Sequence, residues 1–154
     1  VRAYLVRHGT AAPGADDRTR PLTPEGRREI EAIAGVLAAR GVEVAEIRHS
    51  GLVRARETAA ILGERLRPRR GVQAGPGLLP EDDPAVAAAE LALAGEPILL
   101  VGHLPHLARL VVTLAGDATG EPIQFAPGTA VGLRRDADGW RVEMVLPVPA
   151  GSAG

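Results

Sequence analysis

VRAYLVRHGT, residues 1–10, opens with apolar and β-type side chains, Val1, Ala3, Tyr4, Leu5 and Val6, a run that suits a buried strand. The run stops at Arg7-His8-Gly9. In open α/β sheets, ligands bind in the crevice beyond the carboxyl ends of the strands. An arginine at such an end can fork onto phosphate oxygens. A histidine there can serve as nucleophile or as acid/base. A glycine lets the backbone turn sharply and come close to a ligand. The same three residues also end strands that bind nothing, so the rest of the chain has to supply partners.

Working outward, Pro97–Val101 is apolar on both faces, as a central parallel strand is, and it runs straight into Gly102-His103. Between the two strands, Thr23-Pro24-Glu25 opens a helix: Thr23 as cap, Pro24 at the first helical position, Glu25 at the positive end of the dipole. Ile30, Ile33, Ala34 and Leu37 share one face of it, and Gly41 ends it. Val42–Arg48 reads as the second strand, leading into His49-Ser50-Gly51. A helix follows in LVRARETAAILGERL, with Ala55, Ala59, Leu62 and Leu66 on its apolar face and Ser50 placed to cap it. Arg54 then falls in the first turn, where side chains lean back toward the helix N-terminus and over the strand end.

The remaining chain continues the alternation. Gly71–Ala74 is a short strand, Pro84–Ala94 an alanine-rich helix, and Leu104-Pro105 starts another helix with Leu107, Leu110, Val111 and Leu114 facing in. Thr129–Arg135 and Trp140–Leu146 form a hairpin around Asp136–Gly139. The expected class is α/β: a three-layer αβα sandwich, its sheet mostly parallel with about six strands, closed by an antiparallel C-terminal hairpin. One domain is expected over residues 1–146, with a flexible tail over 147–154.

Composition narrows the chemistry. With 154 residues and a net charge of −1, the chain lacks the basic surplus of a general nucleic-acid binder. All 18 of its Lys+Arg residues are arginine, which removes Schiff-base and P-loop lysines. Cysteine is absent, and with it disulfides, thiolate metal sites and cysteine nucleophiles. No long apolar span or leader pattern is visible, so no membrane partner and a cytoplasmic location are expected.

Three strand ends therefore carry compatible polar residues: Arg7 and His8 after the first, Ser50 and Arg54 after the second, His103 after the fourth. In a parallel sheet these ends share one edge. Two arginines and two histidines suit a dianionic tetrahedral group, whereas a zinc ion would want carboxylates or more histidines and would be repelled by the guanidiniums. No cofactor or metal is expected. Asp16, Asp17 and Arg18 read as a solvated loop, Arg56 and Glu57 as a solvated helix face, and Phe125 and Trp140 as core or rim. Thr58 is expected to support Arg54. His49 is read as a strand-end residue and His106 as a partly exposed structural one.

The Arg7-His8-Gly9 triplet, RPLTPEG (Arg20–Gly26), HSGLVRARETA (His49–Ala59) and VGHLPHL (Val101–Leu107) together resemble the histidine phosphatase superfamily, most closely its short SixA-type phosphohistidine phosphatases. The resemblance implies that His8 is a nucleophile forming a phosphohistidine intermediate. By the same resemblance Arg7, Arg54 and His103, the last as imidazolium, hold the equatorial oxygens, with Gly9 and Arg20 bordering the phosphate site. A general acid is sought in Glu81, Asp82 and Asp83, because Gly77 stands where SixA-type relatives often carry Glu. The implied substrate is phosphohistidine in a protein, with inorganic phosphate as product. A small phosphorylated metabolite, or a module that binds phosphate or a phosphoprotein without turnover, are the alternatives.

Overall fold

The structure is a computed structural model that describes residues 1–116 and 122–150. Its strands are β1 (Arg2–Arg7), β2 (Glu46–His49), β3 (Val72–Ala74), β4 (Ile98–Gly102), β5 (Ala130–Asp136) and β6 (Gly139–Leu146). Its helices are α1 (Pro24–Ala39), α2 (Val53–Leu66), α3 (Pro84–Leu93) and α4 (His106–Ala115). One sheet takes the strands in the order β3-β2-β4-β1-β5-β6. β3, β2, β4 and β1 run parallel, while β5 pairs antiparallel with β1 and β6 with β5. This is the expected mixed α/β sheet with its terminal hairpin.

Alternation along the central strands builds two cores. Tyr4 and Val6 of β1, with Leu99 and Val101 of β4, pack beneath Ile30, Ile33 and Leu37 of α1 and Leu62 of α2. Ala3, Leu5, Ile98 and Leu100 point the other way, onto Leu91 of α3 and Leu107 and Leu110 of α4. All five residues of β4 are buried, as its apolar run foretold.

Helix entry follows local chemistry. The Thr23 hydroxyl accepts the Gly26 N–H at 2.9 Å, with Pro24 in the first helical position. Asp83 caps α3 in the same manner, through the Ala85 N–H at 2.9 Å. α2 departs from expectation: Leu52, not Ser50, is its N-cap, and no side chain caps it. β2 also starts later than Val42. The Val42 N–H is still bonded to Leu37 O, and pairing with the sheet begins only where the Ala45 N–H reaches Pro97 O at 2.8 Å. α4 starts at His106 rather than at Leu104, following a cis Leu104–Pro105 bond.

Of the tail expected over 147–154, residues 151–154 lie outside the described ones, and Pro147–Ala150 carry no regular structure. Val148 stays against the body, where a Cβ on Gly128 would come within 2.6 Å of it. Among the described residues, no helix is long and apolar enough to cross a membrane.

Candidate active site

Register brings the strand ends together. Arg7 lies opposite Gly102, and His49 opposite Val101. The His8 N–H then bonds Gly102 O at 3.1 Å, which sets His8 beside His103, with ring centroids 4.9 Å apart.

His8 Nδ1 lies 2.7 Å from its neighbour's carbonyl, Gly9 O. A carbonyl only accepts, so the proton sits on Nδ1 and the lone pair on Nε2. The residue is 9% exposed. Burial, more than any charge, pushes its pKa down to about 4; Arg54, Arg7 and Arg20 add to that, and the Gly9 bond opposes it. The arginines, which alone suggest a depressed pKa, are thus the smaller cause. His8 is a neutral imidazole near pH 7.

Gly9 is required by packing rather than by a turn. Its φ is not in the left-handed region, but a Cβ there would sit 2.7 Å from Gly26 O and 3.0 Å from Ile30 Cγ1 of α1. A Cβ on Gly26 would in turn overlap the Thr10 carbonyl. Two glycines let the strand end press directly on α1. The Gly9 N–H donates to Thr58 Oγ1 at 3.2 Å, and the Thr58 hydroxyl donates to Arg54 O at 2.8 Å. The residue after His8 is thereby tied to the turn that carries Arg54, as expected for Thr58.

The guanidiniums come next. Arg54 is buried, and its Nη1 and Nη2 donate to Asp17 O at 2.8 Å and Asp17 Oδ2 at 3.3 Å. Arg20 reaches the same carboxylate, Nη1 to Oδ1 at 3.0 Å, with its Nε on Ala12 O at 2.8 Å. Arg7 Nη1 donates to Phe125 O at 2.7 Å, while its Nε is buried with no hydrogen-bond partner among the described residues. His103 Nε2 lies 2.6 Å from Ser50 Oγ, and its Nδ1 is buried without a partner among the described residues. Burial first, then His8 and Arg54, push its pKa down to about 3. In the free site His103 is a neutral imidazole; the imidazolium that the resemblance implies belongs to the site holding phosphate.

The profile of the histidine phosphatase superfamily (branch 1) matches residues 3–78. Phosphohistidine phosphatase SixA of Escherichia coli (strain K12) is 31% identical over 144 residues, which span 90% of this chain and 88% of that protein. The chain belongs to the histidine phosphatase superfamily. An uncharacterised protein of Picosynechococcus is 34% identical over 145 residues, 89% of this chain and 87% of its own length. The solved structure of the protein histidine phosphatase SixA complexed with tungstate superposes with a TM-score of 0.87 at 28% identity, covering 96% of this chain and 97% of that one. The chain is a SixA-type member of this phosphatase family.

Within this phosphatase, the three acids sought as proton donors are engaged elsewhere. Asp83 caps α3, Asp82 Oδ2 accepts the Leu79 N–H at 2.9 Å, and exposed Glu81 faces Arg109 at 3.8 Å. Gly77 has φ +74°, and a Cβ there would lie 2.6 Å from Val86, so the loop leaves no room for a side chain at that position. The charges acting on His8 are the three arginines. Among the described residues, no group of three or more His, Asp or Glu could hold a metal ion.

Some neighbours of the site follow their residue type and others do not. Ser50, read as one of the polar residues at this edge, lies against His103, and its hydroxyl also accepts a long 3.3 Å bond from the Leu52 N–H. His106 is fully buried, not partly exposed, beneath the Gly77 loop. Glu57 is no solvated face residue: it accepts the Leu22 N–H and an Arg27 Nη2 bond, both at 2.8 Å, and pins the loop before α1. Glu29 does the same for Thr10, through its N–H at 2.8 Å and its hydroxyl at 3.0 Å. His49 Nδ1 accepts the Gly51 N–H at 3.0 Å, a strand-end role as expected.

The two depressed imidazoles give a direct expectation. In an NMR titration of the free enzyme, His8 protonates near pH 4 and His103 near pH 3. In the unfolded chain both take up protons near pH 6.5. The unfolded state therefore binds more protons as pH falls below about 6.5, and stability declines through that window until the folded-state pKa values are passed. A titration of both rings near pH 6.5 contradicts the assignment.

Proposed function

We propose that this phosphatase removes the phosphoryl group from phosphohistidine on a protein, with His8 as nucleophile. The observation that carries the reading is the His8 Nδ1–Gly9 O bond, which leaves Nε2 as a neutral lone pair at a carboxyl edge lined with arginines. In the first step Nε2 attacks phosphorus in line. The P–N bond to the substrate imidazole breaks, and its electron pair stays on that imidazole, which departs neutral when its other nitrogen is already protonated. His8 becomes a phosphoimidazolium whose Nδ1–H is still donated to Gly9 O. Water then attacks phosphorus, the pair returns to Nε2, and phosphate leaves with the water oxygen, its surplus proton passing to solvent.

Arg7, Arg54 and His103, with Arg20 at the mouth and Gly9 beside His8, are proposed to take the phosphoryl oxygens. Positive groups fixed in place before charge develops are the main source of rate in phosphoryl transfer. The unpartnered Arg7 Nε and His103 Nδ1 suit that use, since buried polar atoms are ordinarily satisfied. The SixA relative solved with tungstate holds a tetrahedral oxyanion, which supports a phosphate site here.

Phosphohistidine is favoured over an alkyl ester by the leaving group. An alkoxide needs a strong proton donor, whereas Glu81, Asp82 and Asp83 are bonded within their own loop or to α3 and α4. A protein substrate is supported by the short β2–α2 and β4–α4 connections at the edge and by half-exposed Leu79 and Leu104, the latter directly after His103. The test compares turnover of a phosphohistidine protein with that of an alkyl phosphate. Phosphohistidine is cleaved faster by at least about 10²-fold, the usual contribution of a general acid that only the alkoxide needs. Equal rates contradict this substrate assignment, and phosphate binding without any turnover assigns the chain to binding modules instead.

A further inference from the structure

We infer that Asp17 is the resident counter-ion of the phosphate site: its carboxylate occupies Arg54 and Arg20 while the site is empty, and competes with phosphate for them. The inference rests on the reading of those arginines as phosphate ligands. Asp17 Oδ2 lies 3.3 Å from Arg54 Nη2 and Oδ1 lies 3.0 Å from Arg20 Nη1, so one carboxylate bridges two guanidiniums. Arg54 is anchored a second time, by Nη1 on the Asp17 carbonyl at 2.8 Å.

The two partners differ in freedom. The Arg54 side chain is 6% exposed and the Asp17 side chain 62%. Asp17 opens the 3₁₀ turn Asp17–Thr19, in a connection pinned at its base by the Ala12 N–H to Pro21 O bond at 2.8 Å. The carboxylate can therefore turn into solvent, while the carbonyl keeps Arg54 aimed. It is the part that yields when an oxyanion arrives.

Charge gives the reason for such a group. Arg7, Arg20 and Arg54 supply three positive charges beside two imidazoles that are neutral at pH 7. A site of that charge holds a phosphate dianion firmly, in the product as well as in the transition state, and tight product binding limits turnover. One carboxylate brings the balance to two, which matches the dianion, and returns to the guanidiniums as phosphate departs. Asp17 is thus a positioning residue that favours release.

Calorimetric titration of inorganic phosphate into the wild type, Asp17→Asn and Asp16→Asn tests this. Asp16 is the control, a loop carboxylate that accepts the Arg18 N–H at 3.0 Å and touches neither site arginine in the described contacts. Asp17→Asn is expected to bind phosphate about fivefold more tightly, the scale of a solvent-exposed ion pair, with Asp16→Asn unchanged. The difference shrinks as salt is raised, which a purely structural brace does not do. Unchanged or weaker binding in Asp17→Asn overturns the inference, as does equal tightening in Asp16→Asn. A wild type that binds no phosphate overturns the phosphate-site reading along with it.

Discussion

His8→Asn loses turnover by roughly 10⁴-fold or more, while its affinity for inorganic phosphate changes far less, because a removed nucleophile is not replaced by the groups that bind the ligand. The geometry makes the split testable. His8 is held by the Gly9 carbonyl on one side and faces the site with Nε2, whereas the groups read as binding oxygens come from β1, α2 and the β4–α4 turn. Asn keeps a polar group near Gly9 O but has no nitrogen lone pair to form a P–N bond. Steady-state kinetics on an aryl phosphate, paired with phosphate titration, separates the two quantities. Equal losses in rate and affinity contradict the nucleophile assignment.

Arg54→Ala carries the second-largest effect, a fall in kcat of about 10²–10³-fold with weakened phosphate binding, the range for deleting one preorganised donor to developing charge. Its guanidinium is buried and fixed twice by Asp17, while its carbonyl accepts from Thr58, which in turn accepts from Gly9. Removing the side chain leaves those backbone bonds intact, so the loss reports on charge and not on collapse of the strand end. Arg54→Lys recovers only part of the rate, because a point charge does not reproduce a planar fork. Full activity in Arg54→Ala contradicts the role given to this residue.

Much of this was visible in residue patterns. PILLV in a chain of helix-forming stretches calls for a buried central strand, and β4 is buried throughout. Parallel strands ending in Arg7-His8, Ser50 and His103 imply one shared edge, and the rings of His8 and His103 meet there. What escaped depends on three-dimensional partners. Gly9 looks like a turn residue, yet the approach of Gly26 and Ile30 demands it. Asp17 has the composition of a solvated loop, and only the fold shows which guanidiniums lie over it; the i,i+3 spacing to Arg20 was the available hint. Helical periodicity assigns Glu57 to the outside, but the loop before α1 folds back and covers it. The resemblance implies His103 as imidazolium in the site holding phosphate, whereas burial, which sequence does not display, sets its protonation in the free site.

The central claim, phosphoryl transfer through His8 Nε2, is tested most directly by rapid quench with labelled substrate. The account predicts a transient phosphoenzyme that survives base, is lost in acid, maps to His8 and is absent from His8→Asn. Label on another residue, label that persists in His8→Asn, or full turnover with no phosphoenzyme at any time point contradicts it.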